Sequence, residues 1–176
     1  MRYAGDQAHN HLAKIWGFYM DEFIKVKILT KESFEKYGTV LEKPENTKAD
    51  VEREFLDYWN GLYDIRQDCE FTVGCLCIKR QQFEIQQLER HLTGPEIFIP
   101  LSGISIIPFA ARGENPEEEE IEIFLLDGTQ GIVIDSGIWH FPPLPISPDT
   151  KLLLCVPKYV SSDLEMRDVP SRKIIL

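Results

Sequence analysis

The chain lacks the features that define several large classes of protein. Cysteine is scarce: four in 176 residues, namely Cys69, Cys75, Cys77 and Cys155. Cys75 and Cys77 stand two apart, which is neither the CxxC of a redox centre nor zinc-ribbon spacing. No disulfide framework is needed at this length, because a single domain of this size buries roughly 70% of its unfolded surface. Buried, reduced thiols in a reducing cytoplasm are the expectation. No apolar run approaches the ~20 residues a membrane helix requires. No basic stretch followed by an apolar core opens the chain, so no signal-peptide pattern is visible. A basic stripe is also missing. Asp and Glu number 29 against 19 Lys and Arg, a formal net charge of -10. Such a surface repels nucleic-acid backbones and anionic lipid, so neither is an expected partner. A small molecule is.

What is present alternates. "HLAKIWGFYMDEF" places Leu12, Ile15, Trp16, Tyr19 and Phe23 at helical spacing and predicts an N-terminal helix. We expect a helical extension over residues 1–25, followed by one domain over 26–176. His9 and His11 precede the helix and read as solvated side chains. "TKESFEKYG" predicts a short helix capped by Thr30 and stopped at Gly38. From residue 71 onward, short segments rich in Val, Ile, Phe and Leu dominate: 71–78, 82–91, 96–101, 104–111, 121–126, 131–134 and 151–157. Glycine and proline turns separate them, a pattern that argues for an all-β sandwich or barrel. "FTVGCLCI" and "ISIIPFAA" are apolar on both faces and predict strands covered on each side, one layer coming from a partner copy. The acidic run "ENPEEEEIE" reads as a solvated hairpin arm; it lacks the ligand spacing and the glycine of a calcium loop.

One stretch breaks the pattern. "LERHLTGPEIFIPLSG" sets Glu89, His91 and Glu96 in an otherwise apolar, strand-forming segment. Glu89 and His91, two apart on a strand, leave the same face. The "LTGP" turn then starts a strand at Glu96 that can pair with the first. Far along the chain, "DSGIWHFPP" presents His140 after another glycine turn. Two imidazoles with one or two carboxylates suit a divalent transition metal that keeps open positions. The alternative is structural: packed imidazoles, with Glu89 paired on the surface to Arg90, Lys79 or Arg80.

The spacing Glu89-x-His91-x4-Glu96-x6-Gly103 resembles the first cupin motif, with Glu89 where a histidine usually stands. Asp135-x-Gly137-x2-His140 resembles the second, with Asp135 in place of proline and Leu144 where asparagine is expected. More specifically, "VKILTKESFEKYGTVLE", "FEIQQLERHLTGPEIFIPLSG" and "FLLDGTQGIVIDSGIWHFPPL" together resemble the ureidoglycolate lyase family over about residues 26 to 157. That resemblance implies a cupin-type double-stranded β-helix barrel and a homodimer. The implied activity is release of urea and glyoxylate from (S)-ureidoglycolate in purine and allantoin breakdown.

Carried over residue by residue, the resemblance implies Glu89, His91 and His140 as catalytic groups, and Arg80, Glu96, Trp139 and Asp135 as substrate contacts. It implies Glu89, His91, Glu96 and His140 as ligands of a nickel, manganese or zinc ion. The sequence departs from the family where a histidine, an arginine and a second histidine become Asp135, Ser136 and Phe141, which removes cationic groups that would meet an anionic substrate. A cupin that binds another small carboxylic acid or a sugar, without lyase activity, is therefore the alternative function. For the elimination itself, Glu89 or Glu96 is the candidate base. His91 or His140 either protonates urea or ligates the metal. A ligating nitrogen cannot also deliver a proton, and the spacing does not choose.

Overall fold

A computed structural model describes residues 23–158 and 160–176. The helix expected over residues 11–23 lies outside them, apart from Phe23, which opens a strand. That strand, β1 (Phe23–Ile28), runs across the boundary expected at residue 25.

Eight residues after β1 begins, α1 (Lys31–Phe34) forms as expected. Thr30 accepts from Ser33 N, and the Ser33 side chain accepts from Thr30 N, closing a capping box. The remaining elements are strands: β2 (Gly38–Leu41), β3 (Val51–Arg53), β4 (Leu56–Tyr58), β5 (Phe71–Cys77), β6 (Glu84–Arg90), β7 (Glu96–Ser102), β8 (Ser105–Ala110), β9 (Glu122–Leu126), β10 (Gly131–Ile134), β11 (Trp139–His140), β12 (Leu144–Pro145), β13 (Lys151–Pro157) and β14 (Glu165–Ile175). The acidic residues Glu118–Glu120 form an exposed 3-10 turn on the arm between β8 and β9.

The strands make two main sheets. One runs β11-β6-β14-β1-β9-β8-β12, and β11 also pairs with β8, which closes it into a barrel. The other runs β2-β10-β7-β13-β5. Closure pairs the strands of the first sheet on both sides, except β12, which among the described strands bonds to β8 alone. One break in its ladder falls between β11 and β12, where Pro142 and Pro143 have no N–H to give to β8. Phe141 N–H still bridges the gap to the Pro108 carbonyl at 3.2 Å.

Two apolar clusters follow from strand alternation. Ile85, Leu88, Ile106, Ala110, Ile123, Trp139, Val169 and Ile174 all come from the closed sheet and pack together. The second cluster joins the sheets: Ile107, Phe109, Phe124 and Leu126 from the first meet Phe98, Ile132, Ile134 and Leu152 from the second. Neighbouring positions on one strand, such as Phe109 and Ala110, therefore serve different clusters.

Two expectations need correction. β8 is buried along its whole length, but β5 is not: it is the edge strand of its sheet, and Val73 is 63% exposed. The cysteines are not buried either; Cys69, Cys75 and Cys77 are exposed and Cys155 is half-buried. An edge strand with one open face gives its odd-numbered side chains nothing to pack on within this chain.

Candidate active site

Glu89 and His140 face each other directly across the β6–β11 ladder. Each alternates with a residue of the closed-sheet cluster, Leu88 and Trp139, so each points the other way, into the layer between the sheets. Phe109, a member of that layer, lies 6.4 Å from the His140 ring. His91 follows the end of β6. Contrary to expectation, β6 and β7 do not pair: β7 bonds to β10 and β13 in the other sheet. The turn over 92–95 crosses from one sheet to the other and brings Glu96 to the same point.

The four groups meet closely. His140 Nε2 lies 2.8 Å from Glu96 Oε2 and 3.9 Å from Glu89 Oε1. His91 Nε2 lies 3.7 Å from Glu96 Oε1, and the two imidazole centroids are 6.1 Å apart. His91, Glu96 and His140 are buried, and Glu89 is half-buried. A buried polar cluster of this kind costs stability unless its members satisfy one another or hold a ligand.

The electrostatics follow from that burial. Burial pushes the Glu89 carboxyl above its usual range and Glu96 adds to this, against the pull of His140 and His91. Burial by itself pulls the His140 imidazole down. The hydrogen bond and charge of Glu96, with help from the Ile138 carbonyl and Glu89, outweigh it, so the net displacement is upward.

Both imidazoles are oriented from behind. His140 Nδ1 donates to the Ile138 carbonyl at 3.1 Å, a partner that can only accept. His91 Nδ1 stands 3.2 Å from Asp163 Oδ1. Metal-ligating histidines have this arrangement, the outer nitrogen engaged by a carbonyl or carboxylate and the inner one free to ligate. One donor atom each from Glu89, His91 and His140 lie within 4.8 Å of one another. Two imidazoles and a carboxylate so placed fit a divalent transition ion with open positions.

The other residues singled out from sequence lie elsewhere. Asp135 pairs with Arg112 at 3.2 Å at the surface. Trp139 is fully buried on the opposite face, with the Arg90 guanidinium 4.3 Å from its ring centroid and Arg167 at 5.6 Å. Arg90 is itself held by Glu165 at 2.6 Å and by the Gly113 carbonyl. Arg80 lines a groove of about 1100 Å³ with Lys79, Phe83, Pro145 and Asp149, and none of the four clustered residues reaches it. Ser136 donates to the Leu92 carbonyl at 2.6 Å, and Phe141 packs on the closed-sheet cluster. Among the described residues, no Lys or Arg forms an ion pair with Glu89, His91, Glu96 or His140. Sequence reasoning missed Asp163, since nothing in "KYVSSD" marks it and its partner is 72 positions away.

The closed sheet, the facing second sheet and the histidine–carboxylate cluster between them define a cupin-type β-barrel. The family model for ureidoglycolate lyase matches residues 21–175, and the chain belongs to that family. It is similar to the ureidoglycolate lyase of Agrobacterium fabrum, 26% identical over 151 residues that cover 83% of this chain and 91% of the relative. The Escherichia coli K12 ureidoglycolate lyase is also 26% identical, over 167 residues covering 86% of this chain and 97% of the relative. Among solved structures, a sugar 3,4-ketoisomerase from Thermoanaerobacterium thermosaccharolyticum is similar at a TM-score of 0.46. It is 16% identical, with 72% of this chain and 85% of that one covered.

Proposed function

We propose that this protein is a lyase that splits (S)-ureidoglycolate into glyoxylate and urea, and that the cluster of Glu89, His91, Glu96 and His140 is its catalytic centre. The observation that carries this reading is the convergence of those four side chains from β6, its following turn, β7 and β11 in a chain of this family.

The substrate is an α-hydroxy acid and needs positive charge beside its carboxylate. Glu89, His91 and His140 would hold a nickel, manganese or zinc ion, which when bound supplies that charge and Lewis acidity toward the substrate hydroxyl. His91 and His140 then act through Nε2 as electron-pair donors, not as proton donors. That leaves Glu96 to handle the proton. Once His140 Nε2 is engaged elsewhere, the Glu96 carboxylate is free to accept the hydroxyl hydrogen. The electron pair of the broken O–H bond forms the carbonyl of glyoxylate. The C–N bond breaks, its pair stays on nitrogen, and Glu96 returns the same proton to that nitrogen as urea leaves. No net proton is taken up or released.

The homodimer has a candidate face. On the outer side of the five-stranded sheet, Cys75, Leu153 and Ile99 form one row across β5, β13 and β7. Val73, Ile99 and Leu101 there are 63%, 43% and 54% exposed and stand on the same side of neighbouring strands. A second copy laid on this face by a two-fold axis buries the same side chains on both partners.

The test is chemical. Purified protein, supplied in turn with nickel, manganese and zinc, is incubated with (S)-ureidoglycolate, and glyoxylate and urea are both followed. We expect equal amounts of the two products above the spontaneous rate. Ion binding without any such release would instead favour a cupin that holds a different small acid or sugar.

A further inference from the structure

Asp163 lies on the connection between β13 and β14, directly after the 3-10 turn Val160–Ser162. Its two oxygens divide their work. Oδ1 faces His91 Nδ1 at 3.2 Å, while Oδ2 accepts from Leu92 N–H at 2.9 Å, from Thr93 N–H at 2.5 Å and from the Thr93 hydroxyl. Four donors thus converge on one carboxylate. With three donors already aimed at Oδ2, Oδ1 is left to accept from the ring, and the hydrogen between them sits on Nδ1.

We propose that Asp163 is the positioning residue of this site: it locks His91 in the Nδ1–H tautomer and so presents a bare Nε2 toward Glu89 and His140. The inference rests on the reading that His91 acts through Nε2. It resolves a choice the sequence left open, because a ring locked this way is an electron-pair donor when neutral and cannot deliver a proton.

Asp163→Asn separates this role from a merely structural one. The amide oxygen must still accept from Leu92 N–H and Thr93 N–H, so its NH2 group turns toward His91. Nδ1 must then accept, and the ring hydrogen moves to Nε2, into the site. An Asp-to-Asn change behind a catalytic histidine is known to invert the tautomer in this way with the geometry intact.

The experiment uses the full chain labelled with 15N-histidine, free of metal, at about pH 9, well above the ~6.5 of free imidazole. The chain has four histidines, His9, His11, His91 and His140, and His91→Gln identifies the signal of interest. We expect the Nδ1–H pattern for His91 in the wild type and the Nε2–H pattern in Asp163→Asn. Zinc affinity, measured by chelator competition, should fall at least tenfold in the variant. Thr93→Val, which removes one donor to Oδ2 but leaves the His91 contact, should keep the wild-type pattern. A wild-type His91 protonated at Nε2, alone or with Nδ1, overturns the proposal. So does an Asp163→Asn variant with the wild-type pattern and zinc affinity within twofold. If that variant does not fold, the wild-type spectrum alone decides. Neither readout uses substrate, so a chain without lyase activity still answers the question.

Discussion

The backbone N–H of Gly137 donates to the carbonyl of His91 at 2.7 Å. This one bond ties the turn that delivers His140 to the residue that must meet it, and Ser136 reinforces it through the Leu92 carbonyl. Gly137 holds φ at +80°, a region that costs an L-residue about 1–2 kcal/mol. Gly137→Ala should therefore lower Tm by roughly 3–6 °C and weaken metal binding in the same variant. Differential scanning calorimetry and chelator competition check this; unchanged Tm and affinity would contradict the strain argument.

Glu96 should set the protonation of His140. His140 is displaced upward because Glu96 outweighs burial. Glu96→Gln removes that charge and leaves the burial, so the His140 pKa in metal-free protein should fall below its wild-type value. NMR titration of the four histidines reads this directly. An unmoved His140 would mean that Glu96 does not set its protonation.

Away from the site, Glu122 anchors β9 to Lys27 at 2.8 Å and Lys36 at 3.2 Å. Burial pushes its carboxyl up, but the two lysines outweigh this and hold it below the usual carboxylate range in the folded chain. A depressed folded pKa contributes stability above the unfolded value that is lost as pH falls through the folded one. Glu122→Gln should therefore cost up to ~1 kcal/mol at pH 7, discounted for the exposure of both lysines. Its deficit should shrink steadily below about pH 4.5. Denaturant melts at pH 7 and pH 3.5 test the sign; an equal deficit at both would refute the linkage.

The proposed dimer uses the outer face of the five-stranded sheet. Val73→Asp combined with Leu101→Asp places two charges among apolar neighbours there. Light scattering after size exclusion should report a dimer for the wild type and a monomer for the variant, with the fold retained by circular dichroism. A wild-type monomer would remove the face from the account.

How much of this was legible beforehand depends on where each signal lives. Seven of the nine strands from residue 71 to 157 announce themselves because β-branched and aromatic residues crowd between glycine and proline turns. β14 does not: "EMRDVPSRKII" is polar, and its register shifts between Asp168 and Arg172 around Pro170, so its period-2 pattern is broken. Glu89, His91, Glu96 and His140 could be named from spacing and resemblance, since each stands out in an apolar segment. The route by which they meet could not, because strand partners are tertiary facts: Glu96 arrives from the second sheet, not from a hairpin with β6. The direction of Asp135 could not be read from sequence. One residue before a turn, a side chain can point either way, and this one pairs with Arg112 outside. Asp163 carried no local signal at all.

The central claim is that the imidazoles between the sheets do the chemistry. Its most direct test compares the initial rate of glyoxylate release from (S)-ureidoglycolate by metal-supplied wild type, His91→Gln and His140→Gln. The wild type should exceed the spontaneous rate, and each variant should fall by a factor on the order of 10² or more with its β-sheet spectrum intact. Variants that keep the wild-type rate, or a wild type no faster than buffer with any of the three ions, would contradict it.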